Sequence, residues 1–176
     1  MPPASRARHY DGVASDLLWD DVREFFNPER MGSLPDICVP HTSVQDWQNL
    51  LDLIVTRGWR FEYSEGDTVM PLPAAAAILA RAPGSKCPAL RVWPSADMLM
   101  IFRFLAAEEI DFDVDLREIQ GQERLDEFCR FLRSVGRQLG KPVLMGDESG
   151  RPAEDPVLGF FVETDRVAIS DPSPAS

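Results

Sequence analysis

Asp111, Asp113 and Asp115 alternate with apolar residues along one segment, and their spacing suggests chemistry. On a β-strand all three carboxylates project from the same face. An Asp-x-Asp pair then sets its Cα atoms about 6.5–7 Å apart. Two such side chains can lean together onto one hard cation such as Mg²⁺, with oxygen bonds of about 2.1 Å. A metal held this way serves phosphoryl or nucleotidyl transfer. The outer two aspartates, about 13 Å apart on the same spacing, cannot share that ion. A third ligand must come from elsewhere, and Asp36 on an earlier strand is the candidate, giving Asp111, Asp113 and Asp36 as one possible metal set.

Gly32-Ser33 ahead of Asp36 resembles the Gly-Ser and paired aspartates of nucleotidyltransferases. The pattern departs in detail. Cys38 stands where the second aspartate belongs, the Gly-Ser pair sits too close to Asp36, and no Gly-rich loop or basic cluster is present to hold a triphosphate. Two other readings use the same residues. An antiparallel sheet with one wet face carries such alternation routinely. Aspartate is nevertheless a poor strand former, and like charges on one face repel. The remaining reading is a recognition surface. Glu108 to Glu127 holds nine acidic residues against two arginines. With a Debye length of about 8 Å near physiological salt, neighbouring carboxylates act as one field. Glu108, Glu109, Asp111, Asp113, Asp115 and Glu118 are the partner-binding residues on this reading, and the partner is a basic protein.

Other reactive residue types are sparse. Cys38 and His41 are three apart, which on a strand sends them to opposite faces, so they do not form a thiol and its base. The three cysteines, Cys38, Cys87 and Cys129, include no C-x-x-C pair and imply a reducing compartment. Two histidines without suitable cysteine spacing make a zinc site unexpected. No cofactor and no catalytic residue is expected. Trp19, Trp47, Trp59 and Trp93 are read as core anchors, with Trp93 nearest a rim.

Net charge bounds the partners. The chain of 176 residues carries −11. It repels nucleic acid, whose phosphates need clustered Lys and Arg, and anionic membrane surfaces. Arg6, Arg8 and His9 precede no apolar run, so no signal peptide is expected. No segment approaches the roughly 20 apolar residues of a membrane span. A cytoplasmic, bacterial-type protein is the expectation.

The elements that must position these residues follow from periodicity. A helix is expected after Ser15, ending at Asn27-Pro28. Asp36–Val39 reads as a strand, Val44–Ile54 as a helix capped by Thr42 or Ser43 with Asp46, and Trp59–Tyr63 as a strand. These form a strand–helix–strand unit that permits parallel pairing. Residues 64–89 read as an inserted excursion with a short helix over 73–82, closed by Pro83-Gly84. Strands follow at 90–93, 98–105 and 110–119, a helix at 122–139, and final strands at 143–145 and 157–169. For the hairpin of strands 98–105 and 110–119, sharing a core face requires 104 opposite 112 and 102 opposite 114. That pairing rejects a two-residue turn at 107–108 and predicts a three- or five-residue loop centred on Glu108, with Arg103 across from Asp113.

The whole is expected to be an α+β fold, a mostly antiparallel sheet with helices on one face, compatible with a ferredoxin-like core with additions. One domain spans 15–169, between a mobile start at 1–14 and a disordered tail at 170–176. In size and charge the chain is similar to the immunity proteins, small acidic proteins that neutralise basic toxins. That likeness, one of composition, implies a non-enzymatic protein-binding role. An accessory subunit of a larger assembly is the further alternative.

Overall fold

The computed structural model describes residues 15–82, 84–147 and 151–170. The start at 1–14 and the tail beyond Ser170 lie outside the described residues. Among the described residues the strands are β1 (Asp36–Pro40), β2 (Arg60–Glu65), β3 (Thr68–Met70), β4 (Pro88–Ser95), β5 (Met98–Ala106), β6 (Glu109–Val114), β7 (Val143–Met145), β8 (Leu158–Phe161) and β9 (Arg166–Ile169). They form one sheet in the order β3-β2-β4-β5-β6-β1-β7-β8-β9, and every neighbouring pair is antiparallel. The helices are α1 (Trp19–Val22), α2 (Pro28–Met31), α3 (Val44–Thr56), α4 (Ala75–Leu79) and α5 (Gln122–Leu139), with 3-10 turns at Arg23–Phe26 and Leu116–Glu118. This is an α+β fold. β1 and β2 do not pair in parallel. Three strands, β4, β5 and β6, stand between them.

The long helices form where the sequence places them, for identifiable reasons. Ser43 accepts a hydrogen bond from the Asp46 N–H while the Asp46 carboxylate accepts from the Ser43 N–H, a complete capping box at the start of α3. Trp47, Leu50, Leu51 and Ile54 then bury one face. In α5, Leu125, Phe128, Leu132 and Val135 repeat at helical spacing and are buried, and Gly140 ends the helix at φ 64°.

Phe131 of α5 meets Phe102 of β5 and Phe112 of β6, with ring centroids 6.3 and 5.7 Å away. Trp47 of α3 stacks on Phe104 at 4.5 Å. One face of the central sheet is therefore the core face. By the alternation of a strand, Arg103, Asp111 and Asp113 belong to the other.

The first helical region differs from expectation. It begins at Trp19, whose N–H donates to Oε1 of Gln122, and tightens to a 3-10 turn before Asn27. Asn27-Pro28 opens a second helix instead of ending the first: the Asn27 side chain accepts from the Glu29 N–H, and Pro28 occupies the first helical position. The last expected strand is divided as well. Residues 162–165 turn between β8 and β9, with Asp165 at φ 54°.

The hairpin of β5 and β6 corrects the register. The chain turns in two residues, Ala107 and Glu108, and Ala106 pairs with Glu109. A bulge between Arg103 and Ala106 then adds one residue to β5, so Phe102 faces Phe112 and Met100 faces Val114. The extra residue restores the parity that a two-residue turn alone would have broken. The core face is as expected. The pairing is shifted by two residues.

At Gly136 α5 packs directly against the Phe160 ring of β8. A Cβ there would lie 2.0 Å from Cδ1 of Phe160, a ring that is 1% exposed. Replacing an exposed helical glycine by alanine stabilises by about 1 kcal/mol. Gly136→Ala is expected to do the opposite and lose about 1–3 kcal/mol through overpacking. Thermal or urea unfolding checks the sign, and a raised midpoint would refute the close contact.

Candidate functional site

The acidic residues of β6 face outward because the core claims Ile110, Phe112 and Val114, all buried. β1 lies alongside in antiparallel register, with Asp36 opposite Asp113, Cys38 opposite Asp111 and Pro40 opposite Glu109. One outer patch therefore gathers Asp36 and Cys38 from β1 with Glu109, Asp111 and Asp113 from β6. The end of the hairpin is tied to the start of α3. The Thr42 hydroxyl donates to the Ala107 carbonyl at 2.7 Å, the Thr42 N–H to the Glu108 carbonyl at 2.9 Å, and Trp47 Nε1 to the Ala106 carbonyl at 3.0 Å. Ser43 makes the helix cap, which leaves Thr42 for this clamp.

The carboxylates differ sharply in how they are compensated. The Asp113 side chain is 3% exposed and accepts an ion pair from Arg103 Nη2 at 2.7 Å. Arg103 has Asp111, not Asp113, as its Cα partner, so the expected pair forms along the diagonal. Burial raises the Asp113 pKa, against the pull of Arg103. Asp115 lies beyond the end of β6. Its carboxylate caps the 3-10 turn by accepting from the Arg117 N–H at 2.9 Å and holds the Arg117 guanidinium at 2.6 Å. That hydrogen-bonded pair keeps its pKa below the ordinary value. The local bond competes with the ladder and ends the strand at Val114, short of the expected Ile119. Glu118 is half-buried, accepts from the Leu99 N–H at 3.2 Å, and has its pKa raised by burial.

Asp111 is the uncompensated member. Its carboxyl is pushed up to about 7, first by burial, then by a hydrogen bond and charge from Glu109 and by the charge of Asp36, with Arg151 pulling the other way. Asp36, Glu108, Glu109 and Asp111 make no ion pair among the described residues. Asp36 and Glu108 are exposed. The six acidic positions singled out by the sequence thus separate into an exposed turn residue at Glu108, an interacting pair at Glu109 and Asp111, a buried ion pair at Asp113, and a group at Asp115 and Glu118. Glu109 and Asp115 are six residues apart along the strand direction, roughly 20 Å.

Cys38 shares this patch but is fully buried. Burial first, then the charges of Glu109, Asp111 and Asp36, push its thiol up to about 12. At neutral pH it is a packed thiol and not a nucleophile. His41 is exposed at φ 58°. Asp36, Asp111 and Asp113 do share a face, but among the described residues no three His, Cys, Asp or Glu side chains converge in a metal-holding arrangement. Asp113 is already committed to Arg103.

Two contributors were not legible beforehand. Arg151 comes from the polar loop after β7, 40 positions beyond Asp111, with no local pattern to announce it. The Thr42 clamp depends on the two-residue turn. No protein-family model, curated protein or solved structure matches this chain.

A carboxyl whose pKa is raised on folding stabilises the fold only while protonated. The contribution of Asp111 is full below the ordinary value of 3.8 and disappears as pH rises to about 7. Asp111→Asn is therefore expected to gain stability relative to the parent as pH increases through that window. Paired Tm measurements from pH 4 to 8 check this (about four steps of one pH unit). A difference that does not change with pH would show that Asp111 titrates normally.

Proposed function

We propose that this chain is a non-enzymatic binding domain whose acidic outer face captures a basic protein. The observation that carries this reading is the imbalance around Asp111. The fold supplies arginines to Asp113 and Asp115, yet leaves Glu108, Glu109, Asp111 and Asp36 without an ion pair among the described residues. Burial first, then the hydrogen bond and charge of Glu109 and the charge of Asp36, push the Asp111 carboxyl up to about 7, and a partner's Lys or Arg placed there would favour its ionised form. Binding then relieves a repulsion already present, and the net charge of −11 steers a cationic partner toward it. Asp113 and Asp115 serve the fold; Glu108, Glu109 and Asp111 serve capture.

Neutralising a basic toxin, as acidic immunity proteins do, would need nothing beyond such a surface on a stable fold. A cytoplasmic setting suits the free cysteines, Cys38, Cys87 and Cys129.

The test compares the parent chain with the triple variant Glu108→Gln, Glu109→Gln, Asp111→Asn, both immobilised and exposed to a lysate of the source organism. A basic protein held by the parent at low salt, released at high salt and lost from the variant supports the reading. Its affinity for the purified parent should fall by at least roughly tenfold in the variant, the worth of about 1.4 kcal/mol. Retention of the same proteins by both would remove this face from the interface.

A further inference from the structure

A cavity of about 640 Å³ opens beside the acidic patch, between the end of α4, residues 81–82 and 85–88, and side chains of β4 and β5. Its charge is opposite to that of the molecule. Arg81, Lys86, Arg91 and Arg103 line it, and no carboxylate does among the described residues. Arg81 is paired with Glu65 and Arg103 with Asp113, so those two are neutralised. Lys86 and Arg91 make no ion pair among the described residues, and Arg91 reaches only the Ser64 hydroxyl, at 3.4 Å. Two cations without an ion pair among the described residues, Arg91 having Glu62 as its cross-strand neighbour, therefore face one cavity in a chain of net charge −11.

The remaining wall is mostly apolar. Ile78, Ile101 and Phe104 contribute to it, and the bulge in β5 leaves Leu105 74% exposed. A half-open, mostly apolar cavity of this volume with a few charged groups has the dimensions and chemistry of a small-ligand site. Lys86 and Arg91 select the sign of the ligand, and the apolar wall selects its body.

We propose that this cavity binds a small organic anion with an apolar body, its anionic head held by Lys86 and Arg91. The inference stands independently of the capture of a basic protein, because it uses none of Glu108, Glu109 or Asp111.

Cys87 lines the same cavity and is exposed, whereas Cys38 and Cys129 are buried with strongly raised pKa values. Alkylation by the neutral reagent iodoacetamide therefore reports on Cys87. Decanoate is the anionic probe, and decyltrimethylammonium carries the same tail on a cation. Decanoate is expected to slow alkylation saturably and the cation to leave it unchanged. In the variant Lys86→Gln, Arg91→Gln the apparent affinity for decanoate should fall by roughly tenfold or more. Equal protection by both probes would show an apolar cavity without charge selection and overturn the proposal, as would no protection by decanoate. Protection by hexaglutamate without protection by decanoate would assign the cavity to an acidic protein segment and overturn it too. The contrast between probes is read on the parent chain, so it holds whether or not the variant folds.

Discussion

The pleat of β5 against β6 is the constraint on which the rest of the structure depends. Side chains alternate between faces with a period of two, so one residue of slip in β6 would send Asp111 and Asp113 toward Phe131 and expose Phe112. Burying two carboxylates against an aromatic cluster without partners would cost far more than the margin by which domains are stable. The two-residue turn at Ala107-Glu108 brings that slip with it. The bulge in β5 cancels it, and Thr42 and Trp47 hold the turn in place from α3. The core, the acidic patch and the rim of the cationic cavity are all consequences of that one extra residue.

With the faces set, compensation of charge decides what each carboxylate does. Asp113 is nearly inaccessible and would be an unpaired buried charge without Arg103, so that pair belongs to the fold. Asp115 has left the sheet and uses Arg117 and a backbone N–H to shape the next turn. Asp111 lies near Glu109 and Asp36, with Arg151 pulling against them. Arg103 is the boundary of this arrangement. It closes the acidic patch on one side and lines the cationic cavity on the other, so fields of opposite sign meet across one residue of β5.

Much of this was legible in the sequence where information is local. The capping box of Ser43 and Asp46, the apolar stripe of α5 and the alternation along 110–114 each declare an element within a few residues. The outward row of aspartates could be read for the same reason. What could not be read depended on contacts distant in sequence or on competing local bonds. The bulge between Arg103 and Ala106 has no glycine or proline to mark it. The end of β6 follows from Asp115 bonding to Arg117, a choice between ladder and cap that alternation does not reveal. The order of nine strands places β1 between β6 and β7, far along the chain, and so determines which carboxylates surround Cys38. Gly136, a residue without a side chain to signal anything, sets how closely α5 meets β8.

The central claim is that two aspartates differ in electrostatic state: Asp111 on the sheet is short of positive charge, and Asp115, just past the end of β6, is well supplied. Carboxyl carbon chemical shifts, followed by NMR across a pH titration, measure this residue by residue. Asp111 should titrate near 7 and Asp115 below 3.8. If both titrate together near the ordinary aspartate value, Asp111 is neither desolvated nor crowded by Glu109 and Asp36, and the account of capture fails.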